Sequence, residues 1–424
     1  MSATAPVSKK RYLHPAWIAM AVTFLTLVAV GGFRSAPSVL IVPLQDAFGW
    51  GRDTISAAVG INVLLFGLTA PFAAALMERF GIRRVVMAAL TTVGTGALST
   101  IWMTQPWHLY LLWGVVVGIG SGSMALVFAA TVANRWFIKR KGIVVGALTA
   151  GQATGQLIFL PNLSLLALHH GWKSVSITVA CAAFVMVPLV FIFLKERPSA
   201  AGVTPYGADE EWQEPPIINR NAGREAINAL KEGAKVRDFW YLMGSFFVCG
   251  LSTNGLIGTH FIPAAHDHGL SQVTAASLLA VIGVFDVIGT IFSGWLTDRI
   301  DPRKLLFFYY FLRGLSLFLL PSILFSSIHA STLIFVIFYG LDWVATVPPT
   351  IVLCRRVLGP ERATVIYGWV FAAHQIGGSI AAYGAAVLRV QFGNYASAFY
   401  ISGILCLITA YFVLQIGDKA AWKK

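Results

Sequence analysis

Five ionisable side chains sit where a charge is hard to keep. Arg34, Asp286, Arg313, Asp342 and His374 each fall inside a long apolar run, and His260 lies nearer the end of one. Such groups are paired, hydrogen-bonded or functional. Arg34 follows Gly31-Gly32 and offers a planar fork that matches a carboxylate. It reads as a ligand for a substrate anion, or as a structural partner of Asp286 or Asp342. Asp286 reads as a proton carrier or as half of a permanent ion pair. Asp342 stands in FYGLDWVATVPPT, with Tyr339 and Thr346 on its helical face, so the three form one polar stripe. Pro348-Pro349 break that helix just beyond, as a hinge or as a static kink. Arg313 reads as a structural charge with Asp342 as candidate partner, with direct substrate contact as the second reading. His374 suits proton coupling or a satisfied structural role, since imidazole titrates between about pH 5 and 8. Asn254 lies among Ser252, Thr253, Gly255 and Gly258 and is a further binding candidate.

This is a vocabulary for binding an anion and moving a proton, not for making bonds. The chain has no nucleotide-binding loop, no HExxH and no GxSxG, so no catalytic residue is assigned. The run His266-Asp267-His268 invites a metal, but ligands need convergent geometry and a fourth partner, and it reads as a solvated loop together with His260. The cysteines Cys181, Cys249, Cys354 and Cys406 are far apart, without a CxxC pair, and read as inert buried thiols. No cofactor or metal is expected.

The elements that position these groups follow from composition. Of 424 residues, 57% are apolar and only 12% charged, against roughly 25% charged in soluble domains. Mean hydropathy is +0.73. A globule needs a polar skin, so a soluble enzyme, a nucleic-acid-binding domain and a disordered chain are excluded. Long apolar runs favour helices over a barrel in lipid. Twelve spans are expected, near 16–44, 54–77, 85–104, 107–133, 142–166, 173–194, 240–264, 273–297, 304–326, 331–353, 363–388 and 395–416; we number them helices 1 to 12. The first run is too long for a cleaved signal peptide, and no small-residue cleavage site follows it. The net charge of +13 is a topological bias. The tail (Lys9, Lys10, Arg11), the loops after the even-numbered helices and the C-terminal Lys419, Lys423 and Lys424 hold 26 of the 31 basic residues. The opposite side has only Arg52, Lys173 and Arg389. Both termini are therefore expected in the cytoplasm.

The two halves repeat. MERFGIRRV (77–85) follows helix 2 and TDRIDPRKL (297–305) follows helix 8, an offset of 220 from Glu78 to Asp298. GWKSV at 171 and GNYASAF at 393 are 222 apart, as are Gly146 and Gly368. The expected organisation is a six-helix bundle over 1–194, a cytoplasmic linker over 195–238 carrying an acidic run Asp209–Glu214 and an amphipathic piece, and a second bundle over 239–424. The offset pairs His374 with Gln152, making both cavity candidates. Gln156 shares the face of Gln152.

Here the sequence resembles the major facilitator superfamily. Its GxxxDRxGRR signature after helices 2 and 8 is matched by Arg79, Gly81, Arg83 and Arg84, with Glu78 for Asp and Ala74 for Gly, and then by Gly294, Asp298, Arg299, Arg303 and Lys304, with Asp301-Pro302 in the glycine region. The resemblance implies a cytoplasmic gating latch of Glu78, Arg79, Arg83, Arg84, Asp298, Arg299 and Arg303, and a substrate site at midplane between the halves. The segments GGFRSAPSVLIVPLQDAFGWGRDTIS, NRWFIKRKGIVVGALTAGQATG, VFDVIG and IYGWVFAAHQIGGS further resemble the monocarboxylate-porter and oxalate/formate-antiporter branch. Two departures stand out. Asp286 matches that branch's helix 8 acid, but Thr290 replaces the Arg one turn on, and Ser38 replaces a helix 1 Lys. Arg34, four residues before Ser38 on the same face, is our candidate for the relocated charge.

The sequence thus predicts an all-α integral membrane protein of twelve helices in two pseudo-symmetric bundles, in the cytoplasmic membrane and functional as a monomer. The expected function is secondary active transport of a small organic anion, a monocarboxylate by resemblance, coupled to protons. Expected substrate ligands are Arg34, Ser38, Gln152, Asn254, Tyr339 and His374, and expected proton carriers are Asp286, Asp342 and His374. Proton-antiport efflux of a drug or metabolite is the alternative transport reading. A non-transporting membrane sensor or scaffold is the alternative of another class.

Overall fold

The computed structural model describes residues 14–124, 126–209, 222–324, 327–359 and 363–417. Lys9, Lys10, Arg11, Arg220, Arg362, the three C-terminal lysines and the acidic run beyond Asp209 lie outside the described residues. Among the described residues the fold is almost wholly helical. Helices 1 to 3 are Pro15–Phe48, Arg52–Phe80 and Ile82–Ser99; helices 5 and 6 are Lys141–His170 and Trp172–Phe193. Helix 4 begins at Pro106, passes through a wide π-turn at Tyr110–Val117 and, after an interruption, resumes as Leu126–Trp136. Helix 7 runs Arg237–Gly250, widens at Leu251–Ile257 and ends with Gly258–Asp267. Helices 8 and 9 are Gln272–Thr297 and Pro302–Ile323. Helix 10 is split into Ala330–Asp342 and Val347–Leu358, and helices 11 and 12 are Ala363–Phe392 and Ala396–Val413. The split places a turn at 343–346 immediately before the Pro348-Pro349 pair, so the break begins one turn earlier than the prolines alone suggest.

Ten spans among the described residues are long and apolar enough to cross a bilayer. Helices 4 and 11 are not among them. Helix 11 carries Gly368, Gly377, Gly378 and Gly384 and the polar pair His374-Gln375, which suits a helix facing protein more than lipid.

The repeat is visible in the packing. Gly155 of helix 5 lies against the Val28 carbonyl of helix 1, and Gly377 of helix 11 lies against the Phe247 carbonyl of helix 7. Gly31 meets the carbonyl of Gln152, and Gly250 meets that of His374. A Cβ at any of these four would collide with backbone, so these positions allow the close helix approach that the small-residue spacing suggested. The turns at Gly171 and Gly393 share a left-handed backbone, φ 74° and 75°, which glycine adopts without strain.

The bundles meet where helix 2 packs on helix 11 and helix 5 on helix 8. Between them, helix Ala222–Gly233 packs on helices 2 and 11, burying Ala229 among Phe239 and Ile366. This is the amphipathic piece expected in the linker. We call the end of the bundle where helix 1 starts and helix 12 ends the terminal face, and the other the far face.

Candidate functional site

Helix 1 carries Pro37 and Pro43 in its interior. Proline interrupts the backbone ladder and bends a helix locally. Ser35 and Ser38, on either side of Pro37, donate to the carbonyls of Gly31 (2.7 Å) and Ser35 (2.8 Å). Beside them Arg34 turns toward the space between the bundles. A cavity lies there. Helix 1 lines it with Arg34, Ser35 and Ser38, helix 5 with Gln156, helix 8 with Gly283 and Asp286, and helix 10 with Trp343.

The two charges of this cavity are on opposite bundles and do not pair. The Arg34 guanidinium stacks over the Phe66 ring at 4.0 Å, and its Nη1 is buried without a hydrogen-bond partner. Asp286 Oδ1 accepts from the Thr290 hydroxyl at 3.1 Å and the Val344 N–H at 3.0 Å. That N–H is free because helix 10 breaks at 343–346, so the break serves the acid directly. Thr290 stands where the related branch has Arg, and here it holds the Asp rather than neutralising it.

The other membrane-depth charges are engaged. Arg313, wholly buried, donates to Asp342 Oδ2 at 2.5 Å and to the Asp342 and Trp343 carbonyls at 2.6 and 3.2 Å. Its Nη1 also reaches Cys249 Sγ at 3.1 Å. Tyr339 is 1% exposed, donates to the Ser252 carbonyl at 2.8 Å and sits in this packed layer, away from the cavity wall. Asn254 donates to Gln375 Oε1 at 3.2 Å, and His374 Nδ1 approaches the same oxygen at 3.4 Å. This group joins helices 7 and 11 and does not line the cavity. Gln152 presents its backbone to Gly31; Gln156, one turn on, reaches the cavity instead. Of the expected ligands and proton carriers, Arg34, Ser38 and Asp286 are brought together there.

At the far face the solvated-loop expectation is corrected. Asp267 accepts from Arg52 through both oxygens, at 2.8 and 2.7 Å, and from Arg389 Nε at 2.7 Å. Arg52 belongs to the first bundle and Asp267 to the second, so the pair joins the bundles at this face. His260 is also no solvated side chain: it is fully buried, with Nε2 2.7 Å from the Ala382 carbonyl and its ring 5.2 Å from Tyr395. His266 and His268 are exposed, and among the described residues no cluster is arranged to hold a metal. Cys181 is exposed, unlike the other three cysteines.

At the terminal face the Arg83 N–H donates to Glu196 Oε1 at 3.2 Å, tying the loop after helix 2 to the end of helix 6. Arg79 leans over Phe80 and Arg84 is exposed. The Glu78 side chain lies outside the described residues. In the second copy Arg303 pairs with Asp301 at 2.8 Å and reaches the Ile416 carbonyl at 3.2 Å. Arg299 covers Trp295 at 4.1 Å, and Asp298 is exposed. The acid that engages the arginine is thus Asp301, which also caps helix 9 through the Arg303 N–H at 2.9 Å. Burial pushes the Asp301 carboxyl up, but the Arg303 hydrogen bonds outweigh it and hold it below the ordinary carboxylate range.

Comparisons with known proteins agree with this architecture. The chain is 26% identical over 404 residues to monocarboxylate transporter 13 of Bos taurus, covering 92% of this chain and 87% of that one. It is 27% identical over 378 residues to the MFS-type transporter YcxA of Bacillus subtilis, covering 87% and 86%. The inward-open xylose transporter XylE from E. coli superposes with a TM-score of 0.72 at 14% identity, covering 96% of this chain and 98% of that one. The model of the Major Facilitator Superfamily matches residues 22–382. With two bundles meeting at helices 2, 5, 8 and 11 around a central cavity, the chain belongs to the Major Facilitator Superfamily and is a membrane transporter, not an enzyme.

Proposed function

We propose that the protein carries a small organic carboxylate across the cytoplasmic membrane by alternating access, with a proton as coupling ion and both termini in the cytoplasm. The observation that carries this reading is the cavity between the bundles, where Arg34 and Asp286 face the same space unpaired. Arg34 binds the carboxylate, held flat by Phe66 so that its fork edge is presented. Asp286 exchanges the proton, since a charge in a low-dielectric cavity needs a partner or neutralisation. Asp342 is engaged by Arg313, which favours Asp286 for this task. The relatives named monocarboxylate transporters support the substrate class. A binding arginine in the cavity argues against cation efflux. The linker helix on helices 2 and 11 and the far-face pair are the contacts that rocking of the bundles must remake. One chain holds both walls of the cavity, which supports function as a monomer.

The test is uptake of labelled monocarboxylates into proteoliposomes with and without an inward proton gradient. Gradient-driven uptake that disappears in Arg34→Ala supports the reading. Uptake of a cationic or neutral compound alone overturns it.

A further inference from the structure

We propose that the cavity also takes dipolar solutes, small amino acids carrying a carboxylate and an ammonium, and moves them without a proton. The inference rests on the reading of Arg34 as the carboxylate ligand and extends it to the opposite pole.

Arg34 and Asp286 are the two charged residues lining the cavity among the described residues. Helices 5, 7 and 10 contribute Gln156, Gly258 and Trp343, none of them charged, and Asp342 behind Trp343 is already paired with Arg313. The acid is only half used. Oδ1 accepts two hydrogen bonds, while Oδ2 makes none, and the residue lines the cavity. Trp343, adjacent to the Val344 amide that holds Asp286, lines the same cavity. An acid and an indole lining one cavity are a cation-binding combination. The arginine pole, in contrast, offers an unpartnered guanidinium nitrogen with Ser35 and Ser38 beside it.

Charge balance selects the ligand class. An uncompensated charge in this cavity is costly, so the favourable contents supply one negative charge at Arg34 and one positive charge at Asp286. A monocarboxylate with a proton does this. An amino acid zwitterion does the same alone: its carboxylate faces Arg34 and its ammonium occupies Oδ2 in place of the proton. Both fillings are neutral overall. The zwitterion needs no accompanying proton, so its transport leaves the pH of the receiving compartment unchanged.

The experiment uses the full chain in proteoliposomes with a luminal pH dye. The probes are glycine, β-alanine, 4-aminobutyrate and 5-aminovalerate against their desamino analogues acetate, propionate, butyrate and valerate. One amino member is expected to bind about tenfold or more tighter than its analogue. Its uptake leaves luminal pH unchanged, while uptake of the analogue acidifies the lumen. Asp286→Asn brings the ratio of the two affinities to about one, and Asp286→Glu, which keeps the carboxylate, retains a preference. Binding of the desamino series alone overturns this inference and leaves the carboxylate reading standing. Binding of neither series overturns both.

Discussion

The far face and the central cavity use the same two residue types to opposite ends. At the far face Asp267 is claimed by Arg52 and Arg389 at once, and the bundles are joined. In the cavity Arg34 and Asp286 also stand on opposite bundles, yet neither answers the other. Paired across the gap, an arginine and an acid make a latch. Left unpaired across it, they form the site we propose, where the missing partner comes from solution. The Arg313–Asp342 pair is a third case: both residues lie in one bundle and serve its packing.

Substitutions can break this comparison. The largest effect is expected from Arg34→Ala. Loss of a desolvated charge contact removes about 2 kcal/mol or more of binding, roughly 30-fold in substrate affinity, read as uptake. Its thermal stability changes little, since no ion pair is lost. Arg313→Met reverses that pattern. Leaving Asp342 buried without its partner destabilises the second bundle by about 3 kcal/mol, seen as a lower melting temperature in detergent. Adding Asp342→Leu recovers part of it. Arg52→Ala cuts the cross-bundle link while Asp267 keeps Arg389. The side chains are 10% and 17% exposed, so about 1–2 kcal/mol is expected, roughly a tenfold shift toward a conformation open at the far face. The check is labelling of a reporter Ser38→Cys by an impermeant thiol reagent added at that face.

Tyr339→Phe removes one hydrogen bond, about 1 kcal/mol of stability, and leaves substrate affinity unchanged. A loss of affinity would return Tyr339 to the binding site. The smallest effect concerns pH. Asp301 is depressed in the folded protein relative to about 3.9 unfolded. Its pair contributes stability that is fully present above the unfolded value and lost as pH falls through the lower folded one. Partly exposed, it is worth about 0.5 kcal/mol. Acid unfolding curves of wild type and Asp301→Asn should therefore converge at the lowest pH.

Much of the architecture was legible because lipid imposes it. Apolar runs mark the helices, and the repeat offset reappears as matched glycine–carbonyl contacts at Gly155 and Gly377. Arg34 and Asp286 were legible as candidates because charge at membrane depth is costly. That they share a cavity was not, since 252 positions separate them in the chain. Asp267 was misread for the same reason: its partner Arg52 is 215 residues away, and a pair so distant leaves no local pattern. Two of the three basic residues on the far side proved to be its ligands. Tyr339, Asn254 and His374 were rightly placed on helices central to the fold, but helical spacing does not say which neighbour a face meets. Asp301 was overlooked as the engaged acid because the motif directs attention to Asp298.

The glycine contacts have a mechanical consequence. Backbone meets backbone at Gly31 and Gly155 between helix 1 and helix 5, and at Gly250 and Gly377 between helix 7 and helix 11, so each pair is expected to move as one plate. Arg34 rides on the first plate and Asp286, through helix 8, on the second half of the machine. Any solute gripped at both ends becomes a strut between moving walls. In the transport we propose, its length sets how far the walls can come together, and an arginine and an aspartate act as the jaws of a caliper.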